Sequence, residues 1–129
     1  MKIFRENDIY ECDGIEVKYS KVLATDCACY IKSELTRGEL LEQLAQECNE
    51  LGQAALKTIR AEELSNNPTC TNREEAERNF VEEQLDVVSI LWLLTDSKMY
   101  EHIRYYPKYV RWAARLGYKI PKACMIDVE

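Results

Sequence analysis

Two acidic pairs are the residues of this chain best placed to do chemistry. Glu47 and Glu50 stand three residues apart in LLEQLAQECNELGQAALKTIR, residues 40–60. Glu83 and Asp86 repeat the spacing in NFVEEQLDVVSILWLL, residues 79–94. An α-helix turns by about 100° per residue, so each pair lies on one helix face. Leu44, Cys48, Leu51 and Ala55 form the apolar stripe of the first helix. That puts Glu47 at its edge, Glu50 one step further round and Lys57 just beyond. Phe80, Val87, Leu91 and Leu94 form the stripe of the second. Glu83 lies at its edge, Asp86 one step round, and Asn79 on the same face, while Glu82 points elsewhere. Packing the two stripes antiparallel brings four carboxylates together at the margin of a core.

Converging carboxylates repel one another and resist loss of water, so cations must neutralise them. All-oxygen ligands suit hard ions, Mg²⁺ or Mn²⁺. Such ions keep positions open for water and phosphate, and the chemistry they serve is hydrolysis of a phosphate ester or anhydride. A single acidic pair is an ordinary solvated helix face; two pairs placed alike against their stripes read as a ligand set. A di-iron bundle needs Glu-x-x-His motifs, and the lone His102 is not placed to make one.

The elements that must hold these groups are helical. With 129 residues, 47% hydrophobic and 31% charged, the chain fits one globular domain. The net charge of −6 argues against nucleic acid as a partner. No apolar run reaches the roughly 18 residues of a membrane span, and the polar start MKIFRENDIYEC lacks a signal-peptide core. A cytoplasmic protein is therefore expected. Residues 1–19 read as a small β-hairpin turning at Asp13-Gly14, or as a flexible arm. Residues 20–117 read as the helical domain, giving an all-α bundle of four to five helices. SKVLATDCACYIKSEL places Val22, Leu23, Cys27, Tyr30 and Ile31 at helical spacing. Thr36-x-x-Glu39 and Asn72-x-x-Glu75 are capping boxes that start helices at Arg37 and Arg73. The first helix runs to about Glu63 and the second to Leu94, with LSNNPTCTN as the loop between them. A last helical stretch from Thr95 is interrupted at Pro107 and stops at Gly117, leaving residues 118–129 as an extended tail. Six cysteines without an export signal read as free thiols, and Cys27-x-Cys29 is a weak zinc hint.

The acidic motifs resemble those of the MazG-like, all-α nucleoside triphosphate pyrophosphohydrolases. That family carries Glu-Glu-x-x-Glu on one helix and Glu-x-x-Asp on the next. Here the motifs stand as Gln46-Glu47-Cys48-Asn49-Glu50 and Glu83-Gln84-Leu85-Asp86. ELLEQLAQECNELGQAALK, the loop with NPT, and NFVEEQLDVV look like the phage-type branch. The likeness covers about Leu35 to Leu94, and the C-terminal helix loosely. Gln46 replaces the first glutamate and points away from the Glu47/Glu50 face.

The resemblance implies Mg²⁺ bound by Glu47, Glu50, Glu83 and Asp86. It also implies cleavage of a nucleoside triphosphate between the α and β phosphates, giving monophosphate and pyrophosphate. In that scheme a carboxylate, here Glu50, takes the proton of the attacking water. Asn79 orients a phosphate or sugar. Lys57 and Arg60, then Lys108, Arg111 and Arg115 on one face of KYVRWAARLG, meet the triphosphate; all five also fit a solvated basic surface. Trp92, Trp112 and Tyr105-Tyr106 can stack on a base, with core packing as the other role. A homodimer or homotetramer is expected by the same resemblance. Two other functions fit these residues: a narrower dUTP- or dCTP-type pyrophosphatase, or a non-catalytic helical protein that senses nucleotides or binds a partner.

Overall fold

A computed structural model describes residues 6–62, 72–95 and 106–126. The chain is all-α with a small N-terminal hairpin, as its sequence predicts. It divides into two compact units.

One unit holds the hairpin, the first and last helices and the C-terminal segment. Strands β1 (Ile9–Cys12) and β2 (Ile15–Lys18) pair antiparallel, with Ile9 opposite Lys18 and Cys12 opposite Ile15. Asp13 and Gly14 make the turn at φ +47° and +88°. Positive φ at both positions matches the right-handed twist of the strands. Two strands alone are marginal, and this pair is tied down at both margins. Tyr19 N donates to Asp8 O and Asn7 N to Tyr19 O, each at 2.8 Å. On the other side Met125 bridges to Val17, and Ile126 N donates to Glu16 O at 3.1 Å. The tail expected to run extended therefore contains a 3-10 turn, Lys122–Cys124, and then closes on β2.

Ser20 caps α1 (Lys21–Glu34), its Oγ accepting from Leu23 N at 3.0 Å. Leu23, Ala24, Cys27, Ala28 and Ile31 are buried, but Val22 is exposed, contrary to its predicted place on the apolar face. Helix α1 packs on α4 (Tyr106–Arg115), whose Tyr109, Val110 and Ala113 are buried. Gly117 ends α4 at φ +105°. Tyr118 N donates to Ala113 O and Gly117 N to Ala114 O, the paired bonds of a left-handed helix stop. A Cβ on Gly117 would come within 3.2 Å of the Tyr30 hydroxyl, which donates to Leu116 O.

The other unit holds α2 (Arg37–Ala61) and α3 (Arg73–Thr95). Helix α2 starts where Thr36-x-x-Glu39 predicts. Asn72 caps α3, its Oδ1 accepting from Glu74 N at 3.0 Å and Glu75 N at 3.2 Å. The predicted loop through Asn67-Pro68, Cys70, and the helical stretch around His102 and Tyr105 lie outside the described residues.

The buried lines of these helices differ from the predicted stripes. On α2 the buried residues are Leu40, Glu47 and Ala54, spaced by seven, while Cys48 is exposed and Leu44, Leu51 and Ala55 are half-buried. On α3 they are Ala76, Ser89, Ile90 and Leu93, while Phe80, Val87, Leu91 and Leu94 are half-buried. Glu83 falls midway between Ala76 and Ile90, and Asp86 lies seven before Leu93. Seven residues are nearly two turns, so each acid shares a line with buried residues. Glu47, Glu83 and Asp86 therefore lie on the inward faces, while Glu50 stays exposed.

Candidate metal centre

Glu47 is the most buried of the acids, at 5% exposure. Its place between Leu40 and Ala54 on α2 is one an apolar side chain would ordinarily fill. Gln43, one turn earlier, donates from Nε2 to Glu47 Oε1 at 3.0 Å and so orients the carboxylate. Glu83 and Asp86, both half-buried, present theirs from α3. One oxygen from each of Glu47, Glu83 and Asp86 lies within 4.8 Å of the other two. No other group of three possible ligands converges like this among the described residues.

Electrostatics follow from that geometry. The Glu83 carboxyl is pushed up to about 7, first by burial and then by the charges of Asp86, Glu50 and Glu47. A hydrogen bond with Glu50 adds to the same upward push. The Oε2 atom of Glu83 is buried, and no donor among the described residues reaches it. A buried acceptor without a donor carries a desolvation cost of about 1–3 kcal/mol. A divalent cation among three carboxylates would remove both that cost and the mutual repulsion. The donor set is all oxygen, which fits Mg²⁺ or Mn²⁺ and disfavours softer ions.

The structure thus brings together Glu47, Glu83 and Asp86, with Glu50 against Glu83. Glu50 is exposed on the rim of the cluster. Lys57, also exposed, follows Glu50 by seven residues and so stands about 10 Å further along the same side of α2. Asn79 is half-buried one turn before Glu83. Gln46 and Glu82 are exposed.

Lys108, Arg111 and Arg115 belong to the other unit. Arg115 is engaged there: Nε and Nη2 donate to Asp13 at 3.1 and 2.9 Å. Lys108 lies over the Trp112 ring, 5.7 Å from its centroid. Arg111 is half-buried; burial and the Asp13 charge push the nearby Cys12 thiol up, and Arg111 opposes them only in part. Trp92 and Trp112 are half-buried; Tyr105 and the side chain of Tyr106 lie outside the described residues.

The zinc hint fails on direction. Cys27 is buried and Cys29 exposed, because side chains two apart on a helix point about 200° apart. Gln43 is the contributor that the sequence reading missed. Its signal was available, since it stands four residues before Glu47, where an amide reaches a carboxylate. No protein-family model, curated protein or solved structure matches this chain.

Proposed function

We propose that the chain is a Mg²⁺-dependent nucleoside triphosphate pyrophosphohydrolase, cleaving (d)NTP to (d)NMP and pyrophosphate. The observation that supports the reading most is the buried Glu83 Oε2, reached by no donor among the described residues, inside a three-carboxylate cluster. That cluster calls for a hard cation. The step from cation to triphosphate rests on the resemblance of the two acidic motifs to the MazG-like family.

In this reading Glu47, Glu83 and Asp86 hold the metal, and Gln43 fixes the rotamer of Glu47. When bound, Mg²⁺ screens the phosphates, polarises the α-phosphorus and lowers the pKa of an attacking water. Glu50 is on the rim and reaches Glu83, so it serves as the base that accepts the water proton. Lys57 lies on the Glu50 line and meets the outer phosphates. Asn79 orients the phosphate or sugar.

The test is product analysis. The protein is incubated with a panel of NTPs and dNTPs plus Mg²⁺, and pyrophosphate and orthophosphate are measured separately. Pyrophosphate with the nucleoside monophosphate is the expected result, lost in Asp86→Asn and Glu50→Gln. Orthophosphate as the sole phosphate product would overturn cleavage between α and β. Turnover confined to dUTP or dCTP would narrow the substrate class. Binding of nucleotide without any turnover would instead favour a sensing protein.

A further inference from the structure

Glu47 is held by a neighbour that is not itself an acid. Gln43 stands one turn earlier on α2 and donates from Nε2 to Glu47 Oε1 at 3.0 Å. Only the nitrogen end of an amide can face a carboxylate, so the contact fixes the orientation of Gln43 too. Gln43 is half-buried and Glu47 is buried, so neither end of the bond lies in open water. The other oxygen of Glu47, Oε2, is also buried. Leu40 and Ala54 are buried on the same line of α2, so the carboxylate stands in a packed row. Gln43 carries no charge. A lysine or arginine there would cancel part of the negative field that draws a cation, whereas an amide orients the carboxylate and leaves its charge in place.

The bond changes how many oxygens Glu47 can offer. A donor on Oε1 commits part of that oxygen's lone-pair capacity, so Glu47 meets an ion best through a single oxygen. Ions differ in what they ask of a carboxylate. Ca²⁺ takes about six to eight oxygens in a flexible shell and accepts both oxygens of one carboxylate. Mg²⁺ demands a near-ideal octahedron with bonds of about 2.0–2.1 Å and keeps several waters. The two oxygens of one carboxylate lie too close together to fill two corners of that octahedron. Glu47, Glu83 and Asp86, giving one oxygen each, would fill half of an octahedron and leave the other half for water or phosphate. The same three oxygens leave Ca²⁺ well short of its usual shell.

We propose that Gln43 selects the ion at this centre: by holding Oε1 it restricts Glu47 to one-oxygen coordination, which favours Mg²⁺ or Mn²⁺ over Ca²⁺. Gln43 is a positioning residue, acting through Glu47 and touching neither ion nor substrate. Its role rests on the metal centre of Glu47, Glu83 and Asp86 proposed above, but not on the hydrolysis assigned to that centre.

Competition binding to the full chain reads this role without turnover. Mn²⁺ is titrated first, with the free ion followed by electron paramagnetic resonance, and Mg²⁺ or Ca²⁺ is then added to displace it. The wild type should release Mn²⁺ to Mg²⁺ at lower concentration than to Ca²⁺. Gln43→Met keeps the length of the side chain and removes the donor. Its Mg²⁺ affinity should fall by about tenfold, as when other orienting partners of metal ligands are lost, while Ca²⁺ affinity holds or rises. The preference between the two ions therefore moves by about tenfold towards Ca²⁺. Gln43→Lys keeps a donor within reach of Oε1 and adds a positive charge, so both affinities should fall while their ratio stays that of the wild type. A side chain that only props the helix would lower both affinities together in Gln43→Met, and an unchanged ratio there overturns the proposal. So does a ratio that moves as far in Gln43→Lys as in Gln43→Met, or a wild type that prefers Ca²⁺. A wild type that binds no Mn²⁺ is a distinct failure, since it removes the metal centre itself.

Discussion

Arg115 grips Asp13 with two donors, Nε at 3.1 Å and Nη2 at 2.9 Å, and so ties the hairpin turn to the end of α4. The Arg115 hydrogen bond holds the Asp13 carboxyl below its ordinary value of 3.8. A depressed carboxyl contributes stability above its ordinary value and loses it as pH falls through the folded one. Both side chains are exposed, so the contribution is small. Asp13→Asn should lower Tm slightly at pH 7, and the difference should fade towards pH ~3. Thermal melts of both proteins at the two pH values check this; a constant difference would count against the bond as its cause.

Glu83 has the opposite sign. Its folded value, about 7, lies above the ordinary 4.5, so the folded chain takes up the proton more readily than the unfolded chain. Stability of the metal-free protein should therefore fall as pH rises from 4.5 through about 7, then level off. Glu83→Gln removes the titrating group and should flatten that part of the profile. Urea midpoints for both proteins in EDTA, across this window, measure the difference. A wild-type stability that climbs relative to Glu83→Gln would refute the buried, crowded state of Glu83.

Metal should reverse this penalty. Mg²⁺ or Mn²⁺ should raise Tm, more above neutral pH than below it, because a proton must leave the cluster before the ion enters. At about 100-fold excess over Kd the expected gain is ~2.7 kcal/mol, removed by EDTA. Glu47→Gln should weaken binding by about tenfold or more while raising the stability of the metal-free chain, since one buried like charge is gone. Titration calorimetry reads the first effect and chemical denaturation the second. Unchanged affinity would remove Glu47 from the ligand set.

Thiol labelling should split the cysteines by burial. Cys29 and Cys48 are exposed and should react at once with a maleimide. Cys12 and Cys27 are buried, and burial together with the nearby Asp26 charge pushes the Cys27 thiol up to about 12. Both should label only when the chain unfolds. Peptide mapping after a short pulse gives the answer, and rapid labelling of Cys27 would contradict its place inside α1.

Local chemistry made much of this legible. Asp13-Gly14 announces a hairpin because few dipeptides tolerate positive φ twice. Thr36-x-x-Glu39, Asn72 and Gly117 mark helix ends because capping satisfies orphan backbone groups within a few residues. The pairing of Glu47 with Glu50 and of Glu83 with Asp86 on common faces follows from helix pitch alone. The engagement of Arg115 by Asp13 was not legible, since those residues are 102 apart in sequence.

The side of α2 that turns inward was not legible either. Reading large apolar residues as core put Leu44, Cys48, Leu51 and Ala55 inside, yet Leu40, Glu47 and Ala54 are the buried ones. Periodicity ranks faces by hydrophobicity, and α2 carries a second apolar face through Leu41, Leu56 and Ile59 that competes with the first. By itself the sequence determined the helices, their ends and the shared faces of the acids, because each depends on neighbours a few residues away. Tertiary structure decided which face is buried and brought three carboxylate oxygens within 4.8 Å of one another, because burial and charge convergence depend on what a second helix presents.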